Sequence, residues 1–270
     1  MVYFLSDIHL GLGERGQDKH RERLLLAFLA AIHDHCTQLY IIGDLFDYWF
    51  EYNTVVPKFH IRTLSALARL REYGNAGAGT EIHYLMGNHD FGHRTFFEEE
   101  LDIRVYGDDV RTVILGKTFY LAHGDGKAYN DTGYLILKKI LRNKINQWLW
   151  KWLHPDIGVG LAAYISRKSR AYTSDKSYGY EKNGLTDFAE QIIARDNIDY
   201  VVMGHLHQPM QCTFAQASGQ MGVYMNIGDW LGHDTVAQFD GTSLVLCRVE
   251  NVIQCLKSSD HSIRTHSSFL

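Results

Sequence analysis

The chain reads as an α/β protein in which two sheets pack face to face with helices outside. Three observations predict this. Short apolar, β-rich runs at Val2–Leu5, 39–42, 82–86, 119–122 and Tyr200–Met203 are separated by helical stretches, the pattern of buried strands in an α/β fold. Each run passes directly into a polar segment, and such folds gather functional groups at the carboxyl ends of their strands. The 270 residues, 46% of them hydrophobic, suffice for one large domain with an insertion.

The elements follow in order. After the first run, residues 19–35 carry Leu24, Leu25, Phe28, Leu29 and Ile32 at helical spacing. Pro57 opens a second helix toward Tyr73, because Pro suits a first helical turn. A Gly/Ala loop at 75–80 precedes the third strand, and 96–101 reads as a short helix. Residues 110–115 and 118–121 predict a hairpin about Gly116-Lys117. A helix at 186–195 feeds the strand at Tyr200. The runs at 222–227, 235–239 and 244–249 are expected as antiparallel strands closing the second sheet. From about Lys257 to Leu270 the chain is polar and rich in Ser and His, which predicts a flexible tail. No internal repeat is visible.

Five polar segments stand at the ends of the five runs: Asp7-Ile8-His9, Gly43-Asp44, Gly87-Asn88-His89-Asp90, His123-Gly124-Asp125 and Gly204-His205-Leu206-His207. Each alone is a weak signal; their conjunction at successive strand ends is not. Together they offer three oxygen ligands (Asp7, Asp44, Asn88) and four imidazoles (His9, His123, His205, His207). Mixed O/N ligands suit Mn²⁺, Fe²⁺ or Zn²⁺ better than Ca²⁺. Seven ligands are too many for one ion with an open position and fit two ions sharing Asp44. Paired ions activate water and clamp a phosphoryl group, so the sequence predicts a phosphoester or pyrophosphate hydrolase.

The net charge of −4 argues against a general nucleic-acid binder. The four cysteines show no C-x-x-C spacing and read as thiols in a reducing compartment. A candidate ligand already at residue 7 leaves no room for a signal peptide, and no apolar run approaches the ~20 residues of a membrane span. The expected location is the cytoplasm, with no protein partner evident.

The ordered set D-x-H, GD, GNHD, H and GHxH resembles the calcineurin-like metallophosphoesterase superfamily over about residues 1–240. The resemblance implies a four-layer α/β/β/α sandwich. It also implies one ion on Asp7, His9, Asp44 and His207 and a second on Asp44, Asn88, His123 and His205. His89 would stand beside the leaving oxygen as proton donor or electrostatic stabiliser, with Asp90 orienting its ring.

Residues 127–182 differ from the rest. They hold 11 Lys/Arg against four acids, a local +7, so the remainder carries about −11. They also contain Leu135, Ile136, Leu137, Ile140, Leu141, Ile145, Trp148, Leu149, Trp150, Trp152 and Leu153. Apolar residues interleaved with bases at helical spacing describe an amphipathic helix that covers apolar ligands or lies on a membrane surface; an aromatic stripe packed on the core is the plainer alternative. Such an insertion between the HGD and GHxH motifs resembles the UDP-2,3-diacylglucosamine diphosphatases of lipid A biosynthesis, as do Gly43-Asp44-Leu45-Phe46, Asp131-Thr132-Gly133-Tyr134 and Asn226-Ile227-Gly228-Asp229-Trp230. His89 stands where many members of that branch carry Arg.

This resemblance implies a helical lid at 127–182 over a core of 1–126 and 183–256, with Mn²⁺ as the usual ion. The implied reaction is hydrolysis of UDP-2,3-diacylglucosamine to UMP and 2,3-diacylglucosamine 1-phosphate at the inner membrane surface. Asn88, His89, His205 and Asp131 would meet the substrate. Arg167, Arg170 and Lys176 are candidates for holding its pyrophosphate, since Arg binds phosphate bidentately and Lys as a point charge. The expected mechanism is direct attack of water, as no Ser or Cys nucleophile pattern is present. A soluble phosphodiesterase or nucleotidase using the same centre is the alternative.

Overall fold

The computed structural model describes residues 1–13, 15–127, 138–162, 164 and 184–266. Strand β1 (Val2–Leu5) is buried throughout, and its alternation divides two environments. Val2 and Phe4 enter the space between two sheets, while Tyr3 and Leu5 face helices. Parallel to it run β2 (Gln38–Ile42), β3 (Glu81–Leu85) and β4 (Arg104–Tyr106). In the second sheet β6 (Lys117–Ala122), β7 (Tyr200–Met203) and β9 (Met221–Asn226) are parallel, flanked by antiparallel β5 (Val110–Ile114) and β8 (Met210–Ala215). The β5–β6 hairpin turns on Leu115 and Gly116, at φ 48° and 83°, the two left-handed residues of a tight hairpin turn.

Helices α1 (Arg15–Ile32), α2 (Ile61–Tyr73) and α6 (Val249–His266) cover the outer face of the first sheet. Short α3 (Phe96–Glu99) adds Phe97 to that layer, and α4 (Lys144–Trp150) lies in the insertion. Helix α5 (Gly184–Asp196) covers the second sheet with Leu185, Ala189, Ile192 and Ile193. The order is therefore helix, sheet, sheet, helix, as expected. Between the sheets Phe119 stacks on Phe4 at 5.6 Å and on Tyr200 at 4.8 Å, and meets Phe239 edge-on at 5.1 Å. These rings supply large buried area and a defined packing geometry.

The structure corrects three expectations. Strands β10 (Thr235–Phe239) and β11 (Leu244–Arg248) join the first sheet through β1, and β9 is parallel to β7. Alternation tells which face of a strand is apolar but not which sheet it joins. Strand β8, unforeseen, sends Met210, Cys212 and Phe214 toward α5. The tail expected from Lys257 is instead helix to His266. Val249, Val252 and Ile253 dock the first turns of α6, and a docked turn propagates helix into polar sequence more readily than a free one nucleates it. Among the described residues no helix is long and apolar enough to cross a membrane.

Candidate metal centre

Because β1, β2 and β3 are parallel in one sheet and β6 and β7 in the other, their carboxyl ends meet at one edge of the sandwich. Backbone bonds lace the emerging loops together: Asp7 N–H donates to Gly43 O (3.2 Å), His9 N–H to Asp44 O (2.9 Å) and Gly204 N–H to His123 O (3.0 Å). Buried Arg21, from α1, donates to the carbonyls of His9 (3.3 Å) and Leu12 (2.6 Å). Asp7, His9, Asp44, His205 and His207 all have φ between 49° and 70°. Left-handed backbone at non-glycine residues is unfavourable and collects at functional sites.

Two glycines are required by close approach. A Cβ on Gly87 would fall on Asp44 Oδ1, and one on Gly204 would fall on Ser6 Oγ and Asp7 Oδ2. Larger residues there would push the carboxylates out of place.

All seven predicted ligands converge. Asp44 Oδ2 lies 3.7 Å from His9 Nε2 and 3.3 Å from His123 Nε2, facing two sets of imidazoles. On one side His9 Nε2 and His207 Nε2 are 3.2 Å apart, and both face Asp7 Oδ1 at 3.6 and 3.4 Å. On the other, Asn88 Oδ1 faces His123 Nε2 at 2.9 Å and His205 Nδ1 at 3.0 Å. Three clusters, Asp7–His9–His207, His9–Asp44–His89 and Asp7–Asp44–His123, bring donor atoms within 4.8 Å of one another. Asp7 Oδ1 is buried and accepts no hydrogen bond. Such an orphaned anionic oxygen is costly unless a cation meets it, so the residues fit divalent ions.

The surrounding contacts aim the ligands. His123 Nδ1 donates to Ile42 O at 2.8 Å, which directs Nε2 inward. Asp229 Oδ2 lies 3.2 Å from His207 Nδ1, and Asp229 Oδ1 lies 2.9 Å from His233 Nδ1. Ser6 Oγ and the His205 N–H (2.9 Å) both donate to Asp7 Oδ2. Carboxylates and carbonyls behind ligand histidines set the ring orientation and basicity.

Asp90 does not play the expected part. Its oxygens accept from the N–H groups of Gly87 (2.8 Å) and Phe46 (3.4 Å) and from the Tyr84 hydroxyl, so it shapes the loop. The carboxylate beside the His89 ring is Asp47, with Oδ1 at 3.5 Å and its carbonyl at 3.3 Å from Nδ1. Asp47 Oδ1 also lies 3.5 Å from His9 Nδ1. Sequence reading assigned no role to Asp47 or Asp229, although each carried a signal: Asp47 follows Asp44 by three residues in the loop after β2, and Asp229 follows the end of β9. Asp131, Arg167, Arg170 and Lys176 lie outside the described residues.

Burial would lower the His123 pKa, but contact with Asp44, helped by Asp7 and Asp125, holds it up at about 10. Burial likewise opposes a proton on His207, and Asp229 and Asp7 override it, again to about 10. Burial and neighbouring His123 push His205 down to about 4. Burial works against the charged forms of Asp7 and Asp44, yet the facing imidazoles keep both well below the usual carboxylate range.

The insertion flanks this edge. Asn143 caps α4 through the Ile145 N–H (2.9 Å). Trp150 turns inward, donating to Tyr48 OH at 2.9 Å with its ring 6.3 Å from Phe50. Trp148 and Trp152 are 55% and 76% exposed and touch each other edge-on, beside exposed Ile145 and Leu149. Among the described residues the stripe is therefore divided: Trp150 packs on the core, while Ile145, Trp148, Leu149 and Trp152 face outward.

A model of the calcineurin-like phosphoesterase family matches residues 1–209. The chain belongs to this family. It is 33% identical to a UDP-2,3-diacylglucosamine hydrolase of Porphyromonas gingivalis, over 93% of this chain and 98% of that one. A protein of the same name from Ectopseudomonas mendocina is 28% identical over 89% of this chain and 95% of its own. The phosphoesterase Yfce from E. coli, a solved structure, aligns over 93% of each chain at 14% identity with a TM-score of 0.42, too loosely to bear on substrate. The family binds divalent metals, in keeping with the clusters above.

Two outcomes are expected. Asp44→Ala should abolish binding of both ions, whereas Asn88→Ala should weaken mainly one; elemental analysis after dialysis would count them, and two tightly held ions in Asp44→Ala would sink the shared-ligand reading. Ion uptake should also release protons at pH 7.5, because the neighbouring carboxylates raise the pKa values of His9, His123 and His207, and an ion displaces the protons they favour. Affinity should then rise with pH and fall as pH drops. Calorimetry in buffers of different ionisation enthalpy would measure this; identical heats would refute it.

Proposed function

We propose that this phosphoesterase hydrolyses UDP-2,3-diacylglucosamine to UMP and 2,3-diacylglucosamine 1-phosphate, a step of lipid A biosynthesis, with two Mn²⁺ ions and at the cytoplasmic surface of the inner membrane. What carries the reading is the pairing of a two-ion donor set with an outward apolar insertion, together with the near full-length match to the P. gingivalis UDP-2,3-diacylglucosamine hydrolase.

In this reading Asp7, His9, Asp44 and His207 hold one ion, and Asp44, Asn88, His123 and His205 the other. When bound, the ions supply an activated water and neutralise charge on the phosphoryl oxygens. The protein supplies position. Asp229, Ile42 O and Ser6 keep the donor atoms aimed inward, so little reorganisation is needed on binding. His89, steadied by Asp47, serves the departing sugar phosphate as proton donor or electrostatic stabiliser. Water adds across the anhydride, and the phosphorus–oxygen bond to the sugar phosphate breaks. The insertion acts as a lid: Ile145, Trp148, Leu149 and Trp152 offer apolar surface to acyl chains or to the bilayer boundary, where Trp is favoured. Its excess positive charge draws it to anionic lipid. Asp131, Arg167, Arg170 and Lys176 remain proposed substrate contacts.

His89→Ala should lower kcat by about 10²–10³ while both ions stay bound. Loss of an ion would make His89 a ligand, a role its place in the His9–Asp44–His89 cluster also permits.

Replacing Trp148 and Trp152 with Ala should weaken binding to anionic vesicles, as should added salt. It should cost far more activity on UDP-2,3-diacylglucosamine than on a small chromogenic phosphodiester, since each buried CH₂ offers about 0.8 kcal/mol. Equal proportional losses on both substrates would favour the soluble phosphodiesterase instead.

A further inference from the structure

The first described turn of the insertion, residues 138–141, is helical, and Arg142 N–H still donates to Lys138 O at 2.9 Å. Lys138 and Arg142 therefore stand on one side of one turn. They reach two different loops of the metal centre. Lys138 Nζ lies 2.7 Å from Asp125 Oδ2, in the loop that carries His123 out of β6. Arg142 donates through one nitrogen to Gly107 O at 2.8 Å and through the other to Gly87 O at 3.1 Å. The Gly87 carbonyl belongs to the peptide unit that continues into Asn88. One turn of the insertion thus grips a loop from each sheet.

The Gly87 peptide has little freedom. Gly87 presses on the carboxylate of Asp44, where a Cβ would collide with Oδ1, and its N–H is held by Asp90 Oδ1 at 2.8 Å. The next residues supply Asn88 Oδ1 to His123 and His205, and the His89 N–H to Asp44 Oδ1 at 2.9 Å. A pull on the Gly87 carbonyl is therefore felt at Asn88 and Asp44. By contrast, Lys151 ties the insertion to Asn53 Oδ1 at 3.0 Å, and Asn53 carries no candidate ligand beside it in sequence. The two kinds of tether allow holding the insertion to be separated from setting the centre.

We propose that Arg142, assisted by Lys138, is a positioning residue of the metal centre: it fixes the Gly87–Asn88 peptide and so couples the seating of the insertion to the ion site formed by Asn88, His123 and His205. The inference rests on the ligand roles proposed above but not on the identity of the substrate. Seating of the insertion completes the Asn88 side of the centre, and loosening it weakens the ion there. Arg is suited to this task because its planar fork satisfies two carbonyls at once, which Lys does not.

The test is equilibrium dialysis of the full chain against Mn²⁺, with metal analysis of both phases, beside the Mn²⁺ dependence of hydrolysis of a small chromogenic phosphodiester. Arg142→Ala should weaken one of the two ions about tenfold, the usual effect of removing a group behind a ligand, and leave the other unchanged. The Mn²⁺ concentration for half-maximal diester hydrolysis should rise by the same factor. Arg142→Lys should recover part of the affinity. It carries the test in the same direction should a circular-dichroism melt show that the alanine variant does not fold. Lys138→Ala should give a smaller loss at the same ion, and Lys151→Ala none. Wild-type affinity for both ions in Arg142→Ala, whatever happens to lipid hydrolysis, would reduce Arg142 to a strut for the insertion and overturn the proposal. Equal weakening of both ions would overturn it too, as would a wild-type protein that binds only one. Neither readout contains UDP-2,3-diacylglucosamine, so a wrong substrate assignment leaves the result intact.

Discussion

Two buried carboxylates, Asp7 and Asp44, set the terms for everything at the carboxyl edge of the sandwich. Both are almost wholly removed from water, and an isolated buried carboxylate is strongly disfavoured. Each is kept ionised by imidazoles facing it and by hydrogen bonds from Ser6, His205 and His89. Those partners come from four strand ends in two sheets. The charge pairing and the fold therefore require each other: the loops must take left-handed backbone to bring the partners in, and the parallel strands must end together for the loops to meet.

The same arrangement prepares the site for cations. Asp7 Oδ1 has no hydrogen bond, and His9 and His207 turn ring nitrogens toward one another. Neither feature favours the ion-free protein. His123 and His207 hold protons that partly relieve the excess negative charge, and divalent ions would take their place. The groups behind the ligands, Asp47, Asp229 and the Ile42 carbonyl, point the imidazoles before any ion arrives.

The insertion adds a second layer of control. Trp150 and Lys151 attach it to the loop after β2, and Arg142 and Lys138 to the loops after β3 and β6. Among its described aromatic residues, Trp148, Trp152 and Tyr164 are exposed. One face of the described segment is thus bonded to the loops of the candidate centre while Ile145, Trp148, Leu149 and Trp152 leave another open and apolar, and the surplus of bases in 127–182 sets it apart from the acidic remainder of the chain.

The sequence determined the five strands that lead into the site and the seven convergent side chains, because each is a local signal: an apolar run followed by Asp, His or Asn. It also pointed to the chemistry, since Asp, Asn and His in this number suit paired divalent ions. Tertiary structure decided the rest. The sheet that β10 and β11 join depends on pairing with β1, residues apart by more than 200 positions, and alternation carries no such information. The helical run past Lys257 depends on docking by Val249, Val252 and Ile253. That Asp47 rather than Asp90 attends His89 depends on where two neighbouring loops cross. The grip of Arg142 on the Gly87 carbonyl was illegible for the same reason: a backbone acceptor has no residue type, and only the folded chain brings the guanidinium to it.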